Sequence, residues 1–144
     1  MAQLKAEYEE NKEFHELAQK IVEKYPNIWK VDHNRICCVA ITNKDRKDDK
    51  QLWKVDGVKM PMLLHSPYAW YITIWQNDWE SLNEKQKLLL IADVLCSIGE
   101  EEGAVNPLDG KDFKIMIRTF KGIDYLDDVD APNILEQDIR WARE

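Results

Sequence analysis

Two side chains that could bind a metal lie three positions apart in an apolar segment of the chain. Asp93 and Cys96 stand among leucine, isoleucine and valine residues that predict a helix, where residues three apart share one face. Carboxylate and thiolate groups both bind zinc, but a catalytic zinc needs three protein ligands and an open position. Asp109 could supply the third ligand. A divergent zinc-dependent hydrolase that uses Asp93, Cys96 and Asp109 is therefore one hypothesis.

The other reactive side chains favour structural roles. His15 and Glu16 begin like the His-Glu-x-x-His motif of zinc peptidases, but a glutamine stands where the second histidine is required. This pattern predicts a surface residue on an amphipathic helix. Cys37 and Cys38 are neighbours in a strand-like segment, so their side chains should point to opposite faces of a sheet. We interpret both as buried structural thiols.

Acidic residues are concentrated in one third of the chain. Residues 93–138 contain 12 acidic and 4 basic side chains, whereas residues 1–92 contain 14 of each. A negative field attracts basic protein surfaces and repels nucleic-acid phosphates, so the balance argues against direct nucleic-acid binding. Such a cluster is either a solvated face, as charge runs usually are, or a binding surface. The candidate partner-binding residues are all acidic: Glu100, Glu101, Glu102, Asp124, Asp127, Asp128 and Asp130.

Length and composition predict one domain in a reducing compartment. The chain has 144 residues, the usual size of a single domain, which we place at 1–144 with an acidic C-terminal segment at 123–144. It contains no apolar run of about 20 residues, the length that a membrane span needs. The polar first ten residues do not resemble a signal peptide. Three cysteines without framework spacing predict free thiols, and we expect the cytoplasm of a bacterial host cell.

Hydrophobic periodicity predicts an α+β fold. We expect an N-terminal helix over 4–25, ended by Pro26, and a buried central helix that starts near Asn83 and stops at Gly99. A capping box could start that helix, formed either by Ser81 with Glu84 or by Asn83 with Gln86. The other predicted elements are three strands over 36–42, 58–65 and 70–75 and C-terminal helices over 109–121 and 133–143. Pro61 should confine the second strand to a sheet edge or a bulge.

The order and spacing of these segments resemble a known family. WYITIW at 70–75 is similar to its last strand, and WESLNEKQKLLLI at 79–91 is similar to the lead into its active-site helix. PLDGKDF at 107–113 is similar to its Pro-His-Asp-x-x-x-Phe segment, and 14–25 suits its first helix. Together these segments resemble the putative phage metallopeptidase family, small zincin-like proteins of phages and prophages. The resemblance covers most of residues 14–122.

The resemblance implies a zinc site whose histidines are missing from this chain. The family binds zinc through His-Glu-x-x-His, in which the glutamate is the general base, and through a third histidine in the Pro-His-Asp segment. Ala92 and Cys96 occupy the two histidine positions of the pentad, Asp93 that of the glutamate, and Leu108 that of the third histidine. We therefore expect a degenerate, vestigial site without catalytic residues, metal or cofactor.

Three functional hypotheses follow from this reading. The leading one is a non-catalytic phage or prophage protein that uses an acidic surface to bind a protein partner with a basic surface. Inhibition of a host defence protein or of a nucleic-acid-binding protein would fit such a role. The alternative is the divergent zinc-dependent metallopeptidase. The third hypothesis is an assembly protein that self-associates through exposed tryptophans such as Trp53 or Trp141.

Overall fold

A four-stranded mixed sheet forms the centre of the fold. A computed structural model describes residues 5–45, 52–99, 101–106, 133–136 and 139. The strands are β1 (Tyr8–Glu10), β2 (Ile36–Ile41), β3 (Trp53–Gly57) and β4 (Trp70–Trp75), arranged in the order β1-β2-β4-β3. The helices of the described part are α1 (Lys12–Lys24), α2 (Gln76–Ser81) and α3 (Glu84–Cys96). The α+β class is confirmed, but the sheet has four strands rather than three.

The two central strands are parallel and deeply buried. β2 and β4 pair from Ile36 opposite Trp70 to Ile41 opposite Trp75. Five of the six residues of β2 are buried, which matches the near-continuous apolar sequence typical of parallel strands covered on both faces. β1 and β3 pair antiparallel to β2 and β4 respectively and form the two edges. The predicted strands at 36–42 and 70–75 are therefore confirmed to within one residue.

The N-terminal helix is shorter than predicted because a strand precedes it. α1 begins after Asn11, whose side chain accepts a hydrogen bond from the Phe14 amide at 3.0 Å. Its apolar face is buried, and the helix ends at Lys24, just before Pro26. Tyr8 to Glu10 instead extend and pair with β2. The prediction of a helix over 4–25 is thus wrong for residues 5–10, since the asparagine cap sets the start of the helix.

The predicted strand over 58–65 is wrong. This segment contains a cis peptide bond between Met60 and Pro61, followed by a 3₁₀ turn at Met62–Leu64. Pro61 has no N–H to donate to a ladder, and the backbone leaves the sheet before it. The strand lies earlier, at Trp53–Gly57, where no strand was predicted. Trp53 is buried there, so it cannot serve the self-association that was hypothesised through exposed tryptophans.

The central helix is confirmed, including its cap. α3 begins with a full capping box, in which the Asn83 side chain accepts from the Gln86 amide and the Gln86 side chain accepts from the Asn83 amide. The alternative box of Ser81 with Glu84 is not used. Every residue from Leu88 to Leu95 is buried, and the helix packs against α1. α3 is therefore the core helix of the described structure.

The predicted C-terminal elements lie mostly outside the described residues. The predicted helix over 109–121 falls there, as do Trp141 and most of 133–143. The Asn133 side chain accepts hydrogen bonds from the amides of Leu135 and Glu136. Ile134 is fully buried, and its carbonyl accepts from the Tyr25 hydroxyl at 2.7 Å and from Lys24 at 3.0 Å. Within the described ranges, no helix has the length and apolar character to cross a membrane.

Candidate functional site

The predicted vestigial positions lie on the buried core helix. Ala92 is 0% exposed and Asp93 2% exposed, whereas Cys96, the last residue of α3, is half-buried. The apolar residues of α3 surround this turn with the sheet and α1, as members of one core cluster. A catalytic zinc needs a ligand position open to substrate and water. The middle of α3 is closed to water instead.

Cys96 is a neutral thiol under physiological conditions. Loss of solvation on burial raises its pKa, the negative charge of Asp93 raises it further, and a hydrogen bond with the Trp29 side chain opposes both effects. The resulting pKa of Cys96 is about 12. Because the thiolate is both the nucleophile and the metal ligand, a neutral Cys96 is suited to neither role at pH 7.

The residues at the vestigial position do not fit a catalytic zinc. Ala92 offers no donor atom, Cys96 holds its proton, and Asp93 alone is too few ligands. In the part of the chain that the structure describes, no group of three or more histidine, cysteine or carboxylate side chains could hold a metal ion. Leu108 and the fallback ligand Asp109 lie outside that part. The described donor set thus gives no support to metal chemistry at α3.

The acidic turn after α3 is tied to the sheet. Glu101 and Glu102 are exposed, and the Glu102 carboxylate forms an ion pair with Arg35 at 3.0 Å. The Arg35 guanidinium also donates to the carbonyl oxygens of Ser66 and Pro67. One arginine thus joins the acidic turn to the loop before β4. The ion pair was not predicted, and it partly offsets one of the charges assigned to a partner.

Backbone contacts fix the same turn further. Gly103 has φ 82°, a left-handed conformation that glycine adopts freely, and the Trp70 indole donates to the Ala104 carbonyl at 2.7 Å. A Cβ atom placed on Gly57 would lie 1.8 Å from the Gly103 carbonyl oxygen, so the turn and the end of β3 meet backbone to backbone. Glu101 and Glu102 therefore lie on a turn that is held against the sheet. The other candidate partner-binding residues lie outside the described residues: Glu100, Asp124, Asp127, Asp128 and Asp130.

The two adjacent cysteines of β2 are unsuited to nucleophilic catalysis. Both are buried free thiols, as predicted. Burial raises the pKa of Cys38 strongly, with a smaller contribution from Cys37. Burial and the nearby charge of Glu10 raise the pKa of Cys37. Neither thiol ionises readily at neutral pH, which agrees with a structural role.

A polar groove of about 550 Å³ lies between the start of α1 and α2. Glu13 crosses it, with one carboxylate oxygen accepting from the Trp79 indole at 2.7 Å and from Lys87 at 3.0 Å. Partial burial opposes ionisation of Glu13, but these two hydrogen bonds and the charge of Lys87 lower its pKa overall. Four glutamates and two lysines line the groove, which leaves it with a net negative charge: Glu9, Glu10, Lys12, Glu13, Glu80 and Lys87.

The structure also brings together two histidines that no sequence pattern connected. His15 of α1 and His33 of the 3₁₀ turn at His33–Arg35 place ring nitrogens Nε2 and Nδ1 3.4 Å apart. Both side chains are partly buried. Sequence reasoning missed this pair because the two residues are 18 positions apart and belong to different elements. No spacing rule covers such a contact.

A family model described as "Putative phage metallopeptidase" matches residues 6–133. The match spans β1 through α3 and the vestigial positions, including Leu108. No curated protein and no solved structure matches the chain.

Proposed function

The chain belongs to the putative phage metallopeptidase family, and we propose that it is a non-catalytic member that acts by binding another protein. The family gives the scaffold, and the residues of this chain decide what the scaffold can still do. Fold alone does not fix function, which depends on the side chains at the site.

The burial of the vestigial zinc position carries the proposal. A working site needs three donors around a cleft that substrate can enter. Here Ala92 occupies one ligand position and has no donor atom. The only described side chains with donor atoms at this position are Asp93, which is 2% exposed, and the protonated Cys96. Apolar residues of α3 fill the space around them. This position contributes to the core and offers no reacting group to a substrate.

The acidic third of the chain is the proposed contact with the partner. Glu101 and Glu102 are exposed on a turn that Arg35 and Trp70 hold against the sheet. Because this turn is already held in place, binding there costs little conformational entropy. Asp127 and Asp128 belong to the same negatively charged third of the chain. A surface of this sign fits a partner with a basic face, such as a nucleic-acid-binding protein of the host, and would compete with nucleic acid for it.

A proteolysis assay tests the non-catalytic half of the proposal. The untagged full chain is incubated with fluorescently labelled casein at pH 7.5, with and without added Zn²⁺, beside the variant Asp93→Asn/Cys96→Ala. We expect the two proteins to give the same background rate. Zinc-dependent hydrolysis by the native chain that the double variant abolishes would instead support the divergent metallopeptidase.

Charge reversal tests the binding half. Cross-linking in the host identifies the bound protein, and its affinity is then titrated against salt concentration. The quadruple substitution of Glu100, Glu101, Asp127 and Asp128 to lysine should weaken binding and flatten its salt dependence. It removes an attraction between opposite charges that salt would otherwise screen. The matched control reverses four exposed acids elsewhere, namely Glu7, Glu9, Glu16 and Asp56. Equal binding by the two quadruple variants would place the contact outside the acidic third.

A further inference from the structure

The paired histidines of α1 and the 3₁₀ turn have the geometry of two ligands on one ion. His15 Nε2 and His33 Nδ1 are 3.4 Å apart, and their ring centres are 5.3 Å apart. Two imidazoles on a tetrahedral zinc with bonds of about 2.1 Å would place their nitrogens about 3.4 Å apart and their ring centres about 5.3 Å apart. Two rings joined by a straight hydrogen bond at the same nitrogen distance would have centres about 5.7 Å apart. The observed distance between the ring centres matches the arrangement of two zinc ligands and is shorter than that of a straight hydrogen bond.

The backbone at both histidines is fixed before any ion binds. His15 lies in the second turn of α1, whose start is fixed by the Asn11 cap and whose apolar face is in the core. His33 opens a 3₁₀ turn capped by the Asp32 side chain, which accepts from the Asn34 amide at 3.0 Å. A site whose ligands are already positioned loses less conformational freedom on binding.

The two histidines are half-buried, unlike the fully buried Asp93 of α3. His15 and His33 are both intermediate in exposure, so an ion can reach them without opening the core. A neutral imidazole nitrogen is among the preferred zinc ligands. In the metal-free chain, His15 Nε2 also lies 3.0 Å from the His33 carbonyl oxygen. Zinc must therefore displace this contact, and any proton on the liganding nitrogens is released to water.

We propose that His15 and His33 form a two-histidine site for Zn²⁺ that links α1 to the turn before β2. With two protein ligands, the remaining tetrahedral positions are open to water or to a side chain of a bound partner. The site is separate from the vestigial position on α3 and does not depend on the proposed binding function. It gives this chain a route to bind zinc without any of the family's catalytic histidines.

Calorimetry with zinc chloride tests the site on the untagged full chain at pH 7.5. We expect one zinc per native chain, and a loss of at least about 10-fold in affinity for His15→Ala and for His33→Ala, since even an outer-shell partner is worth 10–100-fold. The chain has three histidines, and the third, His65, is exposed and belongs to neither α1 nor the 3₁₀ turn at His33–Arg35. His65→Ala is therefore the matched control and should bind zinc like the native chain.

A second measurement needs no variant and so does not depend on folding of the mutants. In histidine-ring NMR spectra of the native chain, zinc should move the signals of His15 and His33 together and leave those of His65 in place. Unchanged ring signals at millimolar zinc, or native affinity in both alanine variants, would overturn the site. Zinc binding that is lost in Asp93→Asn/Cys96→Ala but kept in His15→Ala would assign the metal to α3, which also contradicts the proposed function. Loss only in the histidine variants supports the site and leaves the proposed function intact.

Discussion

Two pairs of potential metal ligands lie in this molecule, and their surroundings differ more than their chemistry. Asp93 and Cys96 have the spacing of ligands on one helix, but the carboxylate is sealed in the core and the thiol keeps its proton. His15 and His33 share no sequence motif, yet their ring nitrogens lie 3.4 Å apart on two half-buried side chains. Donor atoms become a site only where an ion can enter and the ligands can lose their protons. Position in the fold therefore outweighs spacing in the sequence.

The largest expected effect comes from returning a histidine to the vestigial position. Ala92→His should lower the free energy of unfolding by at least about 3 kcal/mol, because it overpacks a filled core and buries polar nitrogens. Urea denaturation followed by tryptophan fluorescence measures the loss. Lys85→His, on the exposed face of the same helix, is the control and should change stability by less than about 0.5 kcal/mol. If Ala92→His were as stable as the control, position 92 would border an open cavity. The α3 position would then be as accessible to an ion as the histidine pair.

A smaller effect should appear at alkaline pH, from the thiol of Cys96. Burial raises the pKa of Cys96 from 9.0 to about 12. Below pH 9 the thiol is neutral in both the folded and the unfolded chain, so its contribution to stability is fully present. As the pH rises from 9 towards 12 the unfolded chain loses the proton first, and stability falls by up to about 1.4 kcal/mol per pH unit.

The variant Cys96→Ala isolates this contribution. Urea midpoints at pH 8 and at pH 10.5 are compared for the native chain and the variant, and the variant should lose less stability between the two values. Cys38, whose pKa is also raised by burial, is present in both proteins and cancels. Identical losses in the two proteins would show that the fold does not raise the pKa of the Cys96 thiol.

The smallest effect is expected at the histidine pair in the absence of metal. His15→Ala and His33→Ala should each change the free energy of unfolding by less than about 1 kcal/mol, because a half-exposed polar contact contributes little net stability. Thermal unfolding with a chelator present measures this change. A loss as large as that of Ala92→His would mean that the pair is part of the core, and the distinction between the two regions would disappear.

The sequence predicted the elements that have strong local signals. α3 was identified with its buried character and its Asn83 cap, because an apolar run and a capping box are both local patterns. β2 and β4 were found because parallel, buried strands have nearly continuous apolar sequences. The vestigial positions could likewise be assigned from the family pattern alone.

Elements that depend on distant partners were missed. β1 consists of three exposed residues whose extended conformation is set by pairing with β2, 29 to 33 positions away. β3 alternates Trp53, Val55 and Gly57 with charged residues, and the flanking lysines and aspartates obscured this short pattern. The ion pair of Arg35 with Glu102 and the contact of His15 with His33 arise only when the fold brings loops together. No local propensity encodes them.

The packing of α1 against α3 sets an order of events during synthesis. α1 leaves the ribosome first, and at about 5–20 residues per second the chain between Lys24 and Glu84 takes on the order of 3–12 seconds to follow. Throughout that interval the apolar face of α1 lacks the helix that buries it in the finished protein. We expect the nascent chain to be held by the chaperones of the cell until α3 emerges, and a translation product that stops before residue 84 to be degraded.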